Sequence, residues 1–254
     1  MSNSELPYIE MKDVHKSFAD HHVLKGINLE IHKGETLVII GGSGTGKSVT
    51  IKLMIGLYTP TSGTVKFNGR TWNEMSEEEA DNERQKFGYV FQGGALFDSL
   101  NIKENIAFPL REHTRKKEEE IDEIVKRCLD SVGLKEIEHK FPSQISGGMQ
   151  KRVSLARALS MNPDILLYDE PTTGLDPINS QKINELIVET KKNHNVTSIV
   201  VTHDMQSAFF VADKIVMLFH GNLIFQGNPS QLLQSENEEV KNFIAPALRN
   251  VSHQ

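Results

Sequence analysis

Residues 41–48 read Gly-Gly-Ser-Gly-Thr-Gly-Lys-Ser and match the phosphate-binding pattern G-x-x-x-x-G-K-[ST]. The pattern has a mechanism only where it joins a strand to a helix. Before it, Glu35–Ile40 ends in an apolar run that predicts a short strand, and after it Lys47–Leu57 carries apolar residues at helical spacing. The sequence therefore predicts a strand, a glycine loop and a helix in the required order.

The composition of this loop has a physical explanation. Glycines let successive backbone N–H groups converge on phosphate oxygens, and the following helix directs the positive end of its dipole at them. Lys47 is expected to reach the β- and γ-phosphates, and Ser48 to hold Mg²⁺. A flexible loop with an incidental lysine is the alternative. The residues expected to bind the nucleotide here are Gly41, Gly42, Ser43, Gly44, Thr45, Gly46, Lys47, Ser48 and Val49.

Composition limits the classes of function. The 254 residues are 38% hydrophobic, which is typical of a water-soluble globular protein, and the net charge is −6 with a pI near 5.9. No global basic field is available for a nucleic-acid backbone, so nucleic acid is not an expected partner. Cys128 is the only cysteine, which excludes an intrachain disulfide. The N-terminus lacks a secretory pattern and no stretch is apolar enough to span a membrane, so membrane association is expected to go through a partner or the surface.

Two adjacent carboxylates follow a second apolar run. Asp164–Glu170 reads as a buried strand that ends in Asp169 and Glu170. Burying carboxylates is costly unless they are paired or bind a cation. Asp169 is therefore the candidate to hold Mg²⁺ through water, and Glu170 the candidate to orient and deprotonate a water molecule. A merely solvated strand end is the alternative.

Two further polar residues follow predicted strands. Gln92 comes directly after the run that ends in Tyr89-Val-Phe91, and His203 follows the apolar run Thr197–Thr202. In a doubly wound sheet, ligands bind beyond the carboxyl ends of the strands. His203 is therefore expected to meet the same phosphate, whereas Gln92 is weak evidence by itself.

Phe18 lies in the turn region between two strand-rich runs within residues 8–40. Its ring is either a core side chain or a flat surface on which a purine stacks, and the sequence leaves both open.

A glycine pair opens a predicted helix. Ile145–Met149 reads Ile-Ser-Gly-Gly-Met, with Ser146 as a candidate N-cap and with Gly147 and Gly148 small enough for backbone N–H groups to approach a phosphate. An ordinary helix cap and turn is the alternative.

The helical pattern is densest in the middle of the chain. Between Ile102 and Leu134 apolar residues recur at helical spacing, and Cys128 falls on that apolar face, so a core position is expected for it. We predict one domain with a core at 1–92 and 161–254 and a helical subdomain at 93–160. At the end of the core we predict strands near 214–227 and short helices to about residue 245.

Taken together, these residues resemble the ATPase subunit of ATP-binding cassette (ABC) transporters over essentially the whole chain. The resemblance implies an α/β P-loop NTPase fold of ABC type: a mixed sheet core, an N-terminal antiparallel β region and an inserted helical subdomain. It also implies ATP and Mg²⁺ as ligands and a head-to-tail homodimer. The family motifs fall on Phe18 (A-loop), residues 41–48 (Walker A), Gln92 (Q-loop), Ile145–Met149 (signature), Asp169 and Glu170 (Walker B), Leu175 and Asp176 (D-loop), and His203 (switch histidine).

The resemblance assigns roles to these residues. Glu170, His203, Gln92 and Lys47 are expected to be catalytic, and Ser48, Gln92 and Asp169 to hold Mg²⁺. Each nucleotide is expected to lie between one copy's Walker A loop and the other copy's Ser146, Gly147 and Gly148, with Asp176 also at the site. Two residues depart from the family pattern: Met149 replaces the usual glutamine, and Phe18 the usual tyrosine. We expect activity to survive both.

A narrower resemblance rests on Phe91–His113, on the ISGGM signature and on Glu238–Ile244, which are similar to ATPases of the bacterial Mla phospholipid transporters. It implies a peripheral ATPase at the cytoplasmic face of the inner membrane that powers phospholipid movement between inner and outer membranes. Expected partners are two copies of a membrane permease contacting residues 93–110, a periplasmic lipid-binding subunit and a small cytoplasmic accessory subunit. The alternatives are a small-solute importer and a soluble iron–sulfur-assembly ATPase.

Overall fold

The computed structural model describes residues 6–251 and the side chains of residues 6–247. The predicted single domain begins and ends outside this range. The chain divides into two compact units, the first formed by residues 6–84 and 197–251 and the second by residues 85–196.

An antiparallel sheet of four strands forms one part of the first unit, as expected for the N-terminal region. Its strand order is β2-β1-β4-β5. Met11 of β1 pairs with Leu29 of β2 and with Val65 of β4, and all three side chains are buried. The strands are β1 (Ile9–Phe18), β2 (His21–Ile31), β4 (Ser62–Phe67) and β5 (Arg70–Thr71).

The other part of the first unit carries a largely parallel sheet in the order β10-β9-β3-β8. The central strand β3 is buried at every residue, and it pairs in parallel with β8 and β9. These strands are β3 (Thr36–Ile40), β8 (Thr197–Val201), β9 (Lys214–Phe219) and β10 (Asn222–Gly227). The helices of the unit are α1 (Lys47–Met54), α2 (Glu77–Arg84), α7 (Met205–Val211), α8 (Pro229–Leu233) and α9 (Glu238–Val251).

Two parallel strands and four helices form the second unit. Leu166 in β7 pairs with Gly88 in β6, where a Cβ atom would lie only 2.8 Å from Leu166 Cδ2 and 3.0 Å from the carbonyl oxygen of Ala158. Glycine thus lets strand and helix approach closely. The elements are β6 (Phe87–Val90), β7 (Ile165–Asp169), α3 (Ile102–His113), α4 (Glu118–Ser131), α5 (Gly147–Ser160) and α6 (Pro177–His194).

The helical pattern predicted for 102–134 is confirmed, and it forms two helices. Asn101 and Glu104 form a reciprocal capping box at the start of α3, and residues 114–117 separate α3 from α4. The apolar face of α4 is buried and includes Cys128, which confirms the core position predicted for that thiol. The limits 93–160 given for the helical subdomain stay a prediction.

In the C-terminal region the sequence indicated only short helices to about residue 245. The structure instead continues α9 to Val251, and its residues Val240 and Ile244 are buried. Within the described residues, no helix has the length and apolar character needed to cross a bilayer.

Candidate nucleotide site

The glycine loop at 41–46 adopts a backbone that few other residues tolerate. Gly44 has φ +74° and Gly46 has φ +103°, both in the left-handed region. A Cβ atom on Gly46 would lie 2.6 Å from Leu24 Cδ2, whereas within the described part of the chain one on Gly44 would meet nothing within 4 Å. Conformation therefore requires glycine at position 44, and both conformation and close packing require it at position 46.

Lys47 and the start of α1 fit a phosphate group. The Lys47 ammonium donates hydrogen bonds of 2.8 Å to the carbonyl oxygens of Gly41 and Gly42, which fold the side chain back along the loop. Helix α1 begins at Lys47, and its N-cap residue Gly46 makes no side-chain cap. The positive end of the helix is thus available to an anion, as the sequence predicted.

A cavity of about 430 Å³ borders the same loop. Its volume is in the range of small-molecule sites. The C-terminal helix α9 forms part of its wall, a contribution that the sequence did not predict. The lining residues are Gly42, Ser43, Gly44, Thr45, Met217, Phe219, His220, Glu239, Asn242 and Phe243.

Phe18 ends β1 and is not a core residue. Its side chain is 42% exposed, its ring packs edge-on against Tyr58 at a centroid distance of 5.4 Å, and the Lys16 ammonium lies 4.9 Å from its centroid. The core alternative for Phe18 is therefore wrong. An exposed aromatic ring held by its neighbours is suitable for stacking.

His203 lies where the sequence predicted, at the same edge of the first unit's parallel sheet as the glycine loop. Val201 at the end of β8 pairs with Ile39 of β3, and the Thr202 N–H donates to the Ile39 carbonyl oxygen at 3.3 Å. His203 follows directly and is exposed. Parallel register thus brings His203 and the end of β3 to one sheet edge.

The remaining predicted site residues, Gln92, Ser146–Gly148, Asp169, Glu170 and Asp176, belong to the second unit.

Asp169 is the last residue of β7 and is half-buried. Its Oδ2 accepts a hydrogen bond of 3.1 Å from the Tyr89 hydroxyl. The pKa of Tyr89 is raised above its ordinary value by burial and, to a lesser extent, by the Asp169 charge and hydrogen bond. A carboxylate offers about four lone-pair sites, so Asp169 keeps acceptor capacity for magnesium-bound water.

Glu170 has a left-handed backbone, with φ +50°. Its Oε2 accepts a hydrogen bond of 3.2 Å from the Thr173 hydroxyl, and its backbone carbonyl accepts one of 3.2 Å from the Lys151 ammonium. Non-glycine residues in this region cluster at functional sites. The Glu170 carboxylate is therefore held by the Thr173 hydroxyl, and the Glu170 backbone is held by the Lys151 ammonium.

Gln92 is exposed in the loop between β6 and α3. The loop is anchored by Arg157 of α5, whose guanidinium donates to the carbonyl oxygens of Gly94 at 3.1 Å and Ala95 at 2.9 Å. Burial lowers the pKa of Arg157.

The segment before α3 is held by Asn105, which is fully buried and makes four hydrogen bonds to the backbone of residues 97–101.

Ser146 caps α5 as predicted, since its hydroxyl accepts from the Met149 N–H at 3.3 Å. Asp176 caps α6, and its Oδ1 and Oδ2 accept from the Asn179 N–H at 3.0 Å and from Asn179 Nδ2 at 2.5 Å. These hydrogen bonds lower the pKa of Asp176. A Cβ on Gly148 would lie 3.6 Å from Asn179, so signature and D-loop segments are neighbours.

The supporting residues Tyr89, Lys151, Arg157, Asn105 and Asn179 were not identified from the sequence. Tyr89, Lys151 and Arg157 make hydrogen bonds to residues far away in the sequence, and no short motif indicates such partners. A buried polar residue on an otherwise apolar helical face was the one available signal for Asn105.

Comparison with known proteins defines the class. Residues 24–173 match a family model described as "ABC transporter". The fold is the ABC-type P-loop NTPase fold, with its N-terminal antiparallel sheet and helical subdomain, as the motifs implied. The chain belongs to the ABC transporter family, and it is an ATP-binding ATPase coupled to transport.

Four curated relatives share most of this chain. The probable ribonucleotide transport ATP-binding protein mkl of Mycobacterium leprae is 44% identical over 236 residues, 93% of this chain and 68% of the relative. The match covers 66% of the same-named protein of Mycobacterium tuberculosis, so the chain spans about two thirds of these mycobacterial proteins. Protein TRIGALACTOSYLDIACYLGLYCEROL 3, chloroplastic, of Arabidopsis thaliana is 39% identical over 265 aligned residues, 98% of this chain and 76% of that protein. The intermembrane phospholipid transport system ATP-binding protein MlaF of Haemophilus influenzae is 38% identical over 236 residues, 93% and 89% of the two chains.

Two solved structures are similar. The structure of cbiO1 from Clostridium perfringens, described as part of the ABC transporter complex cbiONQ, has a TM-score of 0.85 at 31% identity and covers 98% of both chains. A dimeric structure of the ATP-binding cassette MJ0796 bound to ADP and Pi has a TM-score of 0.78 at 34% identity, covering 87% of this chain and 98% of that one.

Proposed function

We propose that this chain hydrolyses ATP between two copies of itself to drive a phospholipid transporter of the Mla type. In this mechanism Lys47 and the backbone N–H groups of 41–46 hold the phosphates, and Phe18 stacks on the base. The orientation of Lys47 and the uncapped start of α1 support the phosphate role. The exposure of Phe18 supports the stacking role.

Pairing of two copies is supported by Gly147. A Cβ atom there would meet no atom of the described residues within 4 Å, and its φ lies outside the left-handed region. Neither packing nor conformation within this chain therefore requires glycine at the start of α5. Close approach of another molecule is the remaining reason for a missing side chain. We assign that approach to a nucleotide held by the second copy, as in a dimer like that of MJ0796.

Glu170 is proposed as the general base. It accepts a proton from water as the oxygen attacks the γ-phosphorus, the bond to the β–γ bridging oxygen breaks, and ADP leaves with the bridging oxygen. Phosphoryl transfer depends on positioning and charge, and Glu170 is held by Thr173 and Lys151. His203 and Gln92 are proposed to orient the γ-phosphate and the water. Mg²⁺, held by Ser48, Gln92 and Asp169, would neutralise charge on the phosphates.

The proposed permease contact uses an aromatic patch formed by Phe97 and Phe108. Their side chains are 42% and 40% exposed, and the two rings pack at a centroid distance of 4.8 Å. Exposed apolar clusters mark interaction surfaces. This patch lies within residues 93–110, the segment assigned to the permease.

The phospholipid cargo is carried by one observation: the relative named for phospholipid transport is matched over 89% of its length. The Arabidopsis relative is named for a galactolipid and is matched over 76%. A ribonucleotide cargo is the second candidate, because the mycobacterial relatives are more identical at 44%. We propose phospholipid first, with a peripheral position at the cytoplasmic face of the inner membrane and a lipid-binding and an accessory subunit as further partners.

The test is affinity purification of tagged Glu170→Gln chain from detergent-solubilised membranes with ATP, followed by mass spectrometry of proteins and lipids. We expect a multi-span permease, a periplasmic lipid-binding protein and enriched phospholipid. A permease without lipid enrichment, accompanied by retained ribonucleotide, would replace phospholipid with the second cargo. Recovery of soluble assembly proteins alone would overturn the transporter assignment.

A further inference from the structure

Lys151 is an uncommon lysine, because it lies one turn inside α5 and only 8% of its surface is exposed. Lysine is almost never buried unless it is paired. Its ammonium donates a hydrogen bond of 3.2 Å to the backbone carbonyl of Glu170. Burial lowers the pKa of Lys151, and the charge of Glu170 opposes that effect.

The backbone of Glu170 has an unfavourable conformation, which the hydrogen bond from Lys151 helps to hold. Its left-handed backbone, with φ +50°, is unfavourable for a residue with a side chain, and such strain persists only when surrounding structure fixes it. Its carbonyl also accepts from the Thr173 N–H at 3.3 Å, so both a turn and the Lys151 ammonium hold this oxygen. The direction of the side chain follows from that backbone.

We propose that Lys151 is a positioning residue: by holding the Glu170 carbonyl, it fixes the backbone that aims the Glu170 carboxylate at the attacking water. This inference rests on the proposed role of Glu170. Lys151 does not touch the reacting atoms and acts through the peptide of Glu170.

The helix that carries Lys151 also begins with the signature residues. Ser146, Gly147 and Gly148 form the start of α5, and Lys151 follows within one turn of Gly148. A shift of the helix start therefore moves the ammonium relative to the Glu170 carbonyl. In the proposed dimer, the signature residues 146–148 of one copy would contact the nucleotide bound to the other copy. The same helix would position Glu170 of its own copy through Lys151. Lys151 would thus link the two nucleotides.

The test compares ATPase kinetics of wild type, Lys151→Met, Lys151→Leu and Lys151→Arg. We expect kcat of the first two variants to fall about 10-fold or more, since a displacement of about 1 Å can cost 10²-fold, while KM for ATP stays unchanged. Lys151→Arg can still donate to the carbonyl and should restore most of kcat. Lys126→Met, at an exposed position of α4, is the matched control and should behave as wild type.

A second readout separates positioning from folding. In a Glu170→Gln background, Lys151→Met should leave ATP-driven dimer formation unchanged, because the base is already absent. Wild-type kcat in both Lys151→Met and Lys151→Leu would overturn the inference, as would a rise in KM alone or loss of the ATP-driven dimer. If wild type itself lacked ATPase activity, the proposed function would fail and this inference with it. Active wild type with an active Glu170→Gln variant would instead refute the assignment of the base.

Discussion

The hydroxyl of Tyr89 lies 3.1 Å from Oδ2 of Asp169 and donates a hydrogen bond to it. Tyr89 also stacks on Phe91 at a centroid distance of 4.2 Å, so its ring is fixed between the sheet and the loop that carries Gln92. One side chain thus supports two segments proposed to bind magnesium.

Replacing Tyr89 with phenylalanine tests that relationship through pH. The raised pKa of Tyr89 means that its stabilising contribution is present below its ordinary pKa, near 10, and is lost as the pH rises further. Tyr89→Phe should lower the free energy of unfolding by about 1 kcal/mol at pH 8. The difference in the free energy of unfolding between wild type and Tyr89→Phe should shrink above pH 10. Urea unfolding of both proteins at pH 8 and above pH 10 measures this change. A deficit that is constant across pH would contradict the assigned hydrogen bond.

Lys47→Ala should abolish tight ATP binding, because the ammonium that lies against the carbonyls of Gly41 and Gly42 is proposed to turn to the β- and γ-phosphates. Equilibrium binding of a fluorescent ATP analogue measures the effect. Lys12→Ala, at an exposed position of β1, is the control and should bind as wild type. Normal nucleotide affinity in Lys47→Ala would refute its role.

Glu170→Gln should keep ATP binding and lose hydrolysis. The amide can still accept from Thr173, so the side chain stays in place but no longer takes a proton. Binding closes the dimer and hydrolysis reopens it in the proposed cycle. We therefore expect the variant to accumulate as an ATP-bound dimer, measured by size-exclusion chromatography with and without ATP. Hydrolysis at the wild-type rate would show that another group is the base.

Gly147→Ala separates folding from partner contact. A methyl group at this position meets nothing within 4 Å among residues 6–247, and alanine favours a helix over glycine. The free energy of unfolding should equal or exceed that of wild type, while ATP-driven dimer formation and ATPase activity fall. Gly69→Ala is the opposite control: φ +79° at an open position should cost about 1 kcal/mol of stability and leave the activity of folded protein unchanged. Full activity of Gly147→Ala would remove the support for close approach there.

Much of the fold could be predicted from periodicity and local chemistry. The strand, glycine loop and helix at 36–54 follow from an apolar run, from glycines and from helical spacing, which are all local signals. The N-cap at Ser146 and the burial of Cys128 followed in the same way.

The supporting contacts could not be predicted because they join distant residues. Lys151 and Glu170 are 19 positions apart, and Arg157 and Gly94 are 63 apart. These separations match neither the helical nor the strand period, so no sequence pattern indicates that the residues of either pair are in contact. The length of α9 was missed for a different reason, since Pro246 lies inside this helix and proline ordinarily indicates an end.

Asn105→Ala tests whether one buried amide holds the loop before α3. Oδ1 of Asn105 accepts from the Phe97 N–H at 2.8 Å, and Nδ2 donates to the carbonyls of Phe97, Leu100 and Asn101 at 3.0–3.1 Å. Removing the amide leaves these backbone groups without that partner, and we expect a loss of about 2–3 kcal/mol in the free energy of unfolding by urea. Asn82→Ala, at an exposed position of α2, should change stability by less than about 0.5 kcal/mol. Because Phe97 belongs to the proposed permease patch, Asn105→Ala should also recover less permease in the affinity purification. Wild-type stability would show that the loop holds its shape without the amide.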